Sequence, residues 1–217
     1  MIRRFIPFLL LGGLSVTTGC VALPRPETPV STHPKAPADF PRRIAVLPVS
    51  NQAGDPDGAV ILRGLVIHKL ERDLGYLVQK PDDTDQIIHD RTLTGPEIPI
   101  QVALARQDRR VLTSWLGVDG LLHGELLAFN RAKLTIYVRS QVKAHFWLTD
   151  STGKTIWEVE KDSDNGNLSL GGGGASLDSA LQASGIPPDV VDRIRNSPLG
   201  EDTLAVVDDA FSTFPKP

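Results

Sequence analysis

The sequence predicts an α/β fold, a two-layer sandwich with a mixed sheet of about five strands and helices on one face. Two patterns predict this class. Residues 43–79 form a strand, an amphipathic helix and a second strand, which together are typical of a βαβ unit with parallel strands. Residues 134–149 alternate between apolar and polar side chains, which indicates an antiparallel strand with one buried face. A hairpin partner follows that strand.

Strands and helices alternate in the first half of the predicted domain. The apolar run that starts at Arg43 predicts a buried strand, which ends at Pro48. Apolar residues then recur at helical spacing until Gly75, which predicts a helix with a glycine stop. A short strand covers Tyr76–Gln79 and completes the βαβ unit. Two more helices are predicted, near Asp82–Asp90 and over about Gln101–Leu116.

The second half begins with a predicted hairpin meander. Strands are expected over Gly120–Phe129 and Leu134–Thr149, and Thr155–Glu160 returns after a turn. The long strand places one set of side chains on a buried face: Leu134, Ile136, Val138, Val142, Ala144, Phe146 and Leu148. The glycines and polar residues of 163–175 predict a mobile loop.

Three short helices are predicted to close the chain. They cover Ser176–Ser184, Pro188–Asn196 and Asp202–Phe214. An apolar stripe on the last helix favours a role in covering the core over one in binding a partner, and it consists of Leu204, Val207, Phe211 and Phe214.

The amino-terminal segment predicts export. Arg3 and Arg4 precede an apolar run that is too short to span a bilayer, and small residues follow before Cys20. Residues 1–19 are therefore predicted to be a signal peptide. The small residues before Cys20 resemble a bacterial lipobox, although Thr17 stands where leucine is usual. The resemblance implies lipidation of Cys20, the only cysteine, and a membrane anchor through its acyl chains. The alternative is an ordinary signal peptide that contains a cysteine.

Residues 20–42 combine the lipidated cysteine with a proline-rich tether. Such a chain stays extended and spans roughly 60 Å at about 3.1 Å per residue. Val21 stands where many inner-membrane lipoproteins carry aspartate, which by that resemblance favours the outer membrane, facing the periplasm. Removing residues 1–19 changes the net charge from −3 to −5, so electrostatics give no reason to bind nucleic acid. Residues 43–217 suit a single domain.

Several segments together resemble the GNA1162-type family of bacterial lipoproteins, a group whose function is unassigned. The matching segments are Arg43–Pro48, Leu74–Val78, Gly117–Leu122 and Ala144–Trp157, with a glycine-rich stretch behind them. The resemblance implies a two-layer α/β domain akin to the amino-terminal domain of TolB, and to curli-secretion and penicillin-binding-protein-activator lipoproteins. It also implies an association with envelope assembly or transport and no catalytic residues. The sequence after Ser176 departs from the family.

Motifs for other chemistry are weak. Gly153-Lys154-Thr155 lacks the earlier glycine of a phosphate-binding loop, so it predicts a hairpin turn. The Asp162–Gly166 and Asp55–Gly58 segments lack the spacing of a calcium loop and also predict turns. No histidine pair has the i, i+4 spacing of a helical metal site. We therefore expect no cofactor, no metal and no enzyme activity.

The leading functional prediction is a non-enzymatic, protein-binding lipoprotein in an envelope transport, secretion or assembly system. Two alternatives stay open, a regulator of peptidoglycan synthesis and a hydrolase or ligand-binding module with an unrecognised site. The expected partners are the membrane and an envelope protein, and self-association into a homo-oligomer is compatible with the sequence. A binding surface is expected on the polar face of the long strand, around Tyr137, Arg139, Lys143 and His145, unless helices cover that face or it is plain solvated sheet.

Overall fold

The computed structural model describes residues 33–92, 100–134, 137–168, 186 and 188–217. Four predictions lie wholly or largely outside these residues: the signal peptide 1–19, lipidated Cys20, the tether before residue 33 and the helix over 176–184. Within the described ranges, no helix is long and apolar enough to span a membrane.

Six strands form one mixed sheet. They are β1 Arg43–Val46, β2 Ser50–Asn51, β3 Leu77–Val78, β4 Gly120–Leu134, β5 Tyr137–Asp150 and β6 Thr155–Leu168. Their order is β3-β1-β4-β5-β6, and β2 pairs with β4 beside β1. Strand β1 is parallel to β3 and β4, whereas β4, β5 and β6 are antiparallel neighbours. The predicted α/β class with a βαβ unit and a hairpin meander is confirmed.

Helix α1, Pro56–His68, crosses from β1 to β3. Its amino terminus is capped by the Asp55 carboxylate, which accepts hydrogen bonds from the backbone N–H groups of Asp57 and Gly58. A π-helical turn, Lys69–Leu74, extends the helix to Gly75, whose φ of 80° is the left-handed conformation that glycine adopts without strain. The predicted helix and its glycine stop are confirmed.

The larger core lies between the sheet and three helices on one face. These helices are α1, α5 (Pro188–Asn196) and α6 (Gly200–Phe211). The predicted stripe on the last helix is confirmed as core cover, because Val207, Phe211 and Phe214 are buried and Leu204 packs against them. Strand β5 contributes Val142, Ala144, Phe146 and Leu148, as the alternation predicted.

A second, smaller core lies on the opposite face, so helices do not cover only one side. Alternation along β1 and β4 points Ala45 and Leu121 away from the larger core, and these apolar side chains need their own cover. It comes from α2 (Pro81–Thr92), α3 (Ile100–Ala105) and α4 (Arg109–Leu116). The predicted continuous helix 101–116 is wrong at its middle, because the chain turns at residues 106–108 and Asp108 caps α4.

Strands β4 and β6 are longer than predicted, and β5 begins later than predicted. Leu134 belongs to β4 and pairs with Tyr137, so the predicted strand over 134–149 begins three residues too early. Strand β6 continues through Leu168, which corrects the predicted loop 163–175 over its first six residues and the predicted turn at Asp162–Gly166. The physical reason is cross-strand pairing, because β5 supplies hydrogen-bond partners along its whole length.

The last part of the predicted tether is packed against the domain. Ala36 N–H donates to the Lys216 carbonyl and Lys216 N–H to the Pro34 carbonyl, both at 2.8 Å. The Phe40 ring packs edge-on against Phe214, with centroids 5.8 Å apart. Residues 34–42 are therefore part of the folded domain, and the predicted tether boundary at residue 42 is too late.

Candidate functional site

The face of the hairpin opposite the larger core carries most of its charged side chains. Directly paired residues of β4, β5 and β6 share this face, as in Glu125, His145 and Glu160. We call it the polar face. Three of the predicted surface residues, Arg139, Lys143 and His145, lie on the polar face. The side chain of the fourth, Tyr137, is not among those that the structure describes. The alternative that helices cover this face holds at one end only, where α3 and α4 lie.

A cleft opens where the polar face passes under α3 and α4. Its volume is about 300 Å³, near the lower end of the range for small-molecule pockets. The loop after β1, the start of β2, the two helices and the hairpin all contribute to the wall. The wall mixes apolar and polar groups: Leu47, Pro48, Ser50, Gln101, Leu104, Ala105, Gln107, Arg109, Leu112, His123, Gly124, Glu125 and Trp147. Four segments that are distant in sequence thus meet at one site.

Trp147 is the aromatic centre of the cleft. Its ring stacks on His123, directly opposite on β4, with centroids 4.9 Å apart and planes 6° from parallel. His145, two residues earlier on β5, lies at the same centroid distance and is tilted by 30°. The indole Nε1 is buried and has no hydrogen-bond partner among the described residues. A buried N–H without a partner is costly, so this donor is available to a ligand that reaches it.

Burial sets the charge state of His123. Desolvation, with a smaller contribution from the Arg109 guanidinium, lowers the pKa of His123 to about 3. Its Nε2 lies 3.4 Å from Thr149 Oγ1, and that hydroxyl is fully buried. His123 is therefore neutral at physiological pH and adds an aromatic surface to the cleft without a charge.

Two carboxylates flank His145. Its Nε2 lies 2.9 Å from Glu158 Oε1, and its Nδ1 lies 3.9 Å from Glu125 Oε2. Glu125 also accepts a hydrogen bond from the Gln52 side-chain amide. Such a histidine–carboxylate pair can hold an imidazolium or orient a neutral ring for proton transfer. The carboxylates are thus fixed in place on strands, which suits recognition of a charged group.

Beyond the cleft, the polar face carries a row of diagonal pairs between basic side chains of β5 and carboxylates of β6. Arg139 pairs with Asp164, Lys143 with Glu160, and His145 with Glu158. In every case the acidic partner lies two residues before the residue directly opposite the base. Hydrogen bonding to Glu160 raises the pKa of Lys143, and the same bond lowers the pKa of Glu160. Hydrogen bonding to Arg139 likewise lowers the pKa of Asp164.

The weak motifs lie apart from this site. Gly153-Lys154-Thr155 is the hairpin turn between β5 and β6, as predicted. Asp55 caps α1, and Asp57 binds Arg193. Among the described residues, no group of three or more histidine, cysteine or acidic side chains is placed to hold a metal ion. The predicted lipidation site, Cys20, lies outside the described residues, so it stays a prediction.

Sequence reasoning missed the cleft itself. Trp147 and His123 are separated by 24 positions, and a polar face was predicted only for the strand that carries Trp147, so their pairing was not predicted. The contribution of α3 and α4 was not predicted either, because helices were expected on one face only. The signal that existed was the set of apolar residues on α4, which needed a surface to cover.

Comparison with solved structures identifies the fold. The crystal structure of lipoprotein GNA1162 from Neisseria meningitidis matches with a TM-score of 0.53 and 21% sequence identity, over 72% of this chain and 100% of that one. The predicted resemblance to the GNA1162-type lipoproteins is thereby confirmed at the level of the fold. A PelC dodecamer from Paraburkholderia phytofirmans matches at 0.47 and 12% identity, over 83% of this chain and 93% of that one. The LpoB carboxyl-terminal domain from Escherichia coli matches at 0.41 and 11%, over 60% and 88%. No protein-family model and no curated protein matches the sequence.

Proposed function

We propose that this chain is a lipid-anchored protein of the outer membrane that faces the periplasm and acts as a non-enzymatic, protein-binding component of an envelope transport, secretion or assembly system. The observation that carries the proposal is the cleft of the polar face. A tryptophan, an arginine and the Glu125 carboxylate meet there on helices and strands, and tryptophan and arginine are the residues that most often dominate binding energy in protein interfaces. The chain shares its fold with lipoprotein GNA1162 from Neisseria meningitidis, which supports an envelope location.

Site-specific photocrosslinking in cells tests the protein-binding proposal. A photoreactive phenylalanine analogue at Gln101, an exposed residue on the wall of the cleft, should yield a reproducible adduct with one envelope protein. The matched control is Glu201, which is exposed on α6 behind the opposite face of the sheet and should give none. Equal adducts at both positions, or none at Gln101, would count against the proposal.

The anchor is tested separately. Substituting Cys20→Ser removes the thiol that lipidation requires, so the chain should move from the membrane fraction to the soluble periplasmic fraction. Density-gradient separation of the unsubstituted chain should place it with outer-membrane markers. Recovery of the chain with inner-membrane markers would contradict the outer-membrane assignment while leaving the anchor intact.

A ligand-binding module is the second candidate, because the cleft has a defined volume and a buried, unpaired donor at Trp147 Nε1. A thermal-shift screen against nucleotides, divalent metals and muropeptides tests it. A compound that raises the melting temperature of the full chain, but not of the Trp147→Phe variant, would support a ligand in the cleft. No shift with any compound would favour the protein-binding proposal.

A further inference from the structure

Strand β6 forms one edge of the sheet along its whole length. It pairs with β5 over Thr155–Leu168, and no described strand pairs with its outer side. In an antiparallel edge strand, every second residue points its N–H and C=O groups away from the sheet. A strand of 14 residues therefore presents a long row of backbone donors and acceptors. This edge can accept one additional strand from another chain.

The side chains of β6 give this edge a strong charge preference. Its polar face carries acidic residues at four successive alternate positions, Glu158, Glu160, Asp162 and Asp164. The side chains are well exposed, from 36% for Asp164 to 60% for Glu158. Each carboxylate has several lone-pair positions, so the ion pairs to β5 leave room for a second donor from the outer side.

The ion pairs do not neutralise this stripe. In the diagonal pairs, each base binds the acid two residues before the residue directly opposite it. The position on β5 that would bind Asp162 in this way is occupied by Gln141. Asp162 thus has no cation of β5 at its diagonal position, and Lys143, which lies directly opposite it, is hydrogen-bonded to Glu160. Among the described side chains, the polar face has five carboxylates, because Glu125 joins the stripe, and two permanent cations, Arg139 and Lys143. Its excess negative charge is available to attract a basic partner.

The same charges disfavour pairing with a second copy of the chain. When two edge strands pair in antiparallel fashion, residues whose backbone groups point away from their own sheet pair with each other. Two copies of β6 would therefore pair even-numbered residues with even-numbered residues. Carboxylates would then face carboxylates across the junction, which is destabilising. The acidic stripe therefore selects against self-association through this edge and in favour of a complementary segment.

We propose that the free edge of β6 binds an extended segment of a partner protein that carries lysine or arginine at alternate positions. The segment adds to the sheet through main-chain hydrogen bonds, and its basic side chains meet the acidic stripe on the polar face. This inference rests on the proposed protein-binding function and names the chemistry of the partner.

Binding of a synthetic strand to the full chain, purified in nonionic detergent, tests the inference. The probe is a labelled peptide of alternating lysine and threonine with blocked ends. The control is the same peptide with every backbone nitrogen methylated, which keeps the charge and removes the strand hydrogen bonds. Fluorescence anisotropy should show at least about tenfold tighter binding of the unmodified peptide. Amide hydrogen exchange should become slower at outward-pointing residues of β6. Equal affinities would show a purely electrostatic contact and overturn the proposal, as would no binding.

A variant pair locates the contact on the stripe. Asp162→Asn should weaken peptide binding about two- to fivefold, because it removes the acid of the stripe that has a glutamine, and not a cation, at its diagonal position on β5. The control Asp192→Asn removes another exposed carboxylate, on α5, and should leave the affinity unchanged. Equal effects of both variants would overturn the assignment to β6. If Gln101 crosslinks a partner in cells while the peptide fails to bind, the edge inference alone fails and the proposed function stands.

Discussion

Lys143 does not bind Asp162, the residue directly opposite it on β6, but Glu160, with 2.6 Å between Nζ and Oε1. Arg139 and His145 also contact the acid two residues before the residue directly opposite them. Long side chains can form such diagonal pairs because they reach further than the distance between neighbouring strands. This arrangement leaves Asp162 opposite a lysine that is already engaged.

A lysine at position 141 should complete the row of ion pairs. We expect Gln141→Lys to bind Asp162 and to raise the free energy of unfolding by about 0.2–1 kcal/mol, since both groups are on the exposed face. Urea unfolding at low and at high salt measures the gain, and salt should reduce it. The same substitution in an Asp162→Asn background is the control. A gain of equal size in that background would mean that the new lysine does not bind Asp162.

Helices and strands of this chain were predictable where one spacing of apolar residues continued without interruption. The helix that ends at Gly75 and the buried face of β5 both follow from apolar spacing alone. Residues 163–168 were missed because their asparagine, aspartate and glycine content is typical of loops, whereas pairing with β5 decides their conformation. Asp108 was missed as a helix cap because the residues on both sides of it continue a helical pattern.

The candidate site was predictable only in part. Alternation along β5 placed Arg139, Lys143 and His145 on one face, and the structure confirms that. The cleft also requires α3 and α4 to fold back over that face, which depends on contacts between segments far apart in sequence. Local patterns carry no information on such contacts. The docking of residues 34–42 was missed for the same reason, since their proline content alone favours a tether.

Arg63 connects α1, the end of β1 and α2. Its guanidinium donates to the Val46 carbonyl and binds both oxygens of Asp85 at 2.7 Å, and its side chain is only 13% exposed. Arg63→Met should lower the free energy of unfolding by about 1–3 kcal/mol, because the carbonyl and the carboxylate both lose their donors. Arg63→Lys should recover part of this loss, since lysine keeps the charge but cannot form the two-pronged bond. Urea unfolding followed by circular dichroism measures both, and a Met variant as stable as the parent would contradict the role.

The carboxyl terminus holds the end of the tether. Tyr76 Oη donates to the Pro215 carbonyl at 2.8 Å, and Lys216 exchanges two backbone hydrogen bonds with Pro34 and Ala36. Deleting residues 215–217 removes all three bonds, so the segment around Lys35 should detach. Limited trypsin digestion should then cleave after Lys35 faster, by about tenfold or more if each lost bond contributes about 1 kcal/mol.

The hairpin turn supplies an internal control for that digestion. Lys154 lies in the turn between β5 and β6, where its carbonyl accepts a hydrogen bond from Asp150 N–H and not from the carboxyl terminus, so cleavage after it should keep its rate. A deletion that accelerates both cleavages equally would indicate general destabilisation. An unchanged rate after Lys35 would show that Phe40 alone keeps the segment in place. If the segment does detach, the deletion lengthens the tether, which at about 3.1 Å per residue adds nearly 30 Å for nine residues.

His123 should make the protein less stable as the pH falls. Its pKa is about 3 in the folded chain and near 6.5 when unfolded, so between these values the unfolded state binds one more proton. The stabilising contribution is complete above pH 6.5 and is lost as the pH decreases toward 3. The slope from this group is at most about 1.4 kcal/mol per pH unit, and partial solvent exposure of the ring makes it smaller.

Comparison with His123→Gln isolates this contribution from that of other titrating groups. Burial also lowers the pKa of His68, so the parent protein alone would show a mixture of effects. The difference in unfolding free energy between parent and variant, measured by urea unfolding from pH 7.5 to 4, removes the shared part. We expect the difference to become less favourable to the parent as the pH falls, because glutamine does not titrate, whereas burial and the nearby Arg109 guanidinium disfavour the protonated imidazole. Parallel curves over this range would show that His123 is solvated in solution, and they would remove the argument that the cleft is lined by a neutral ring.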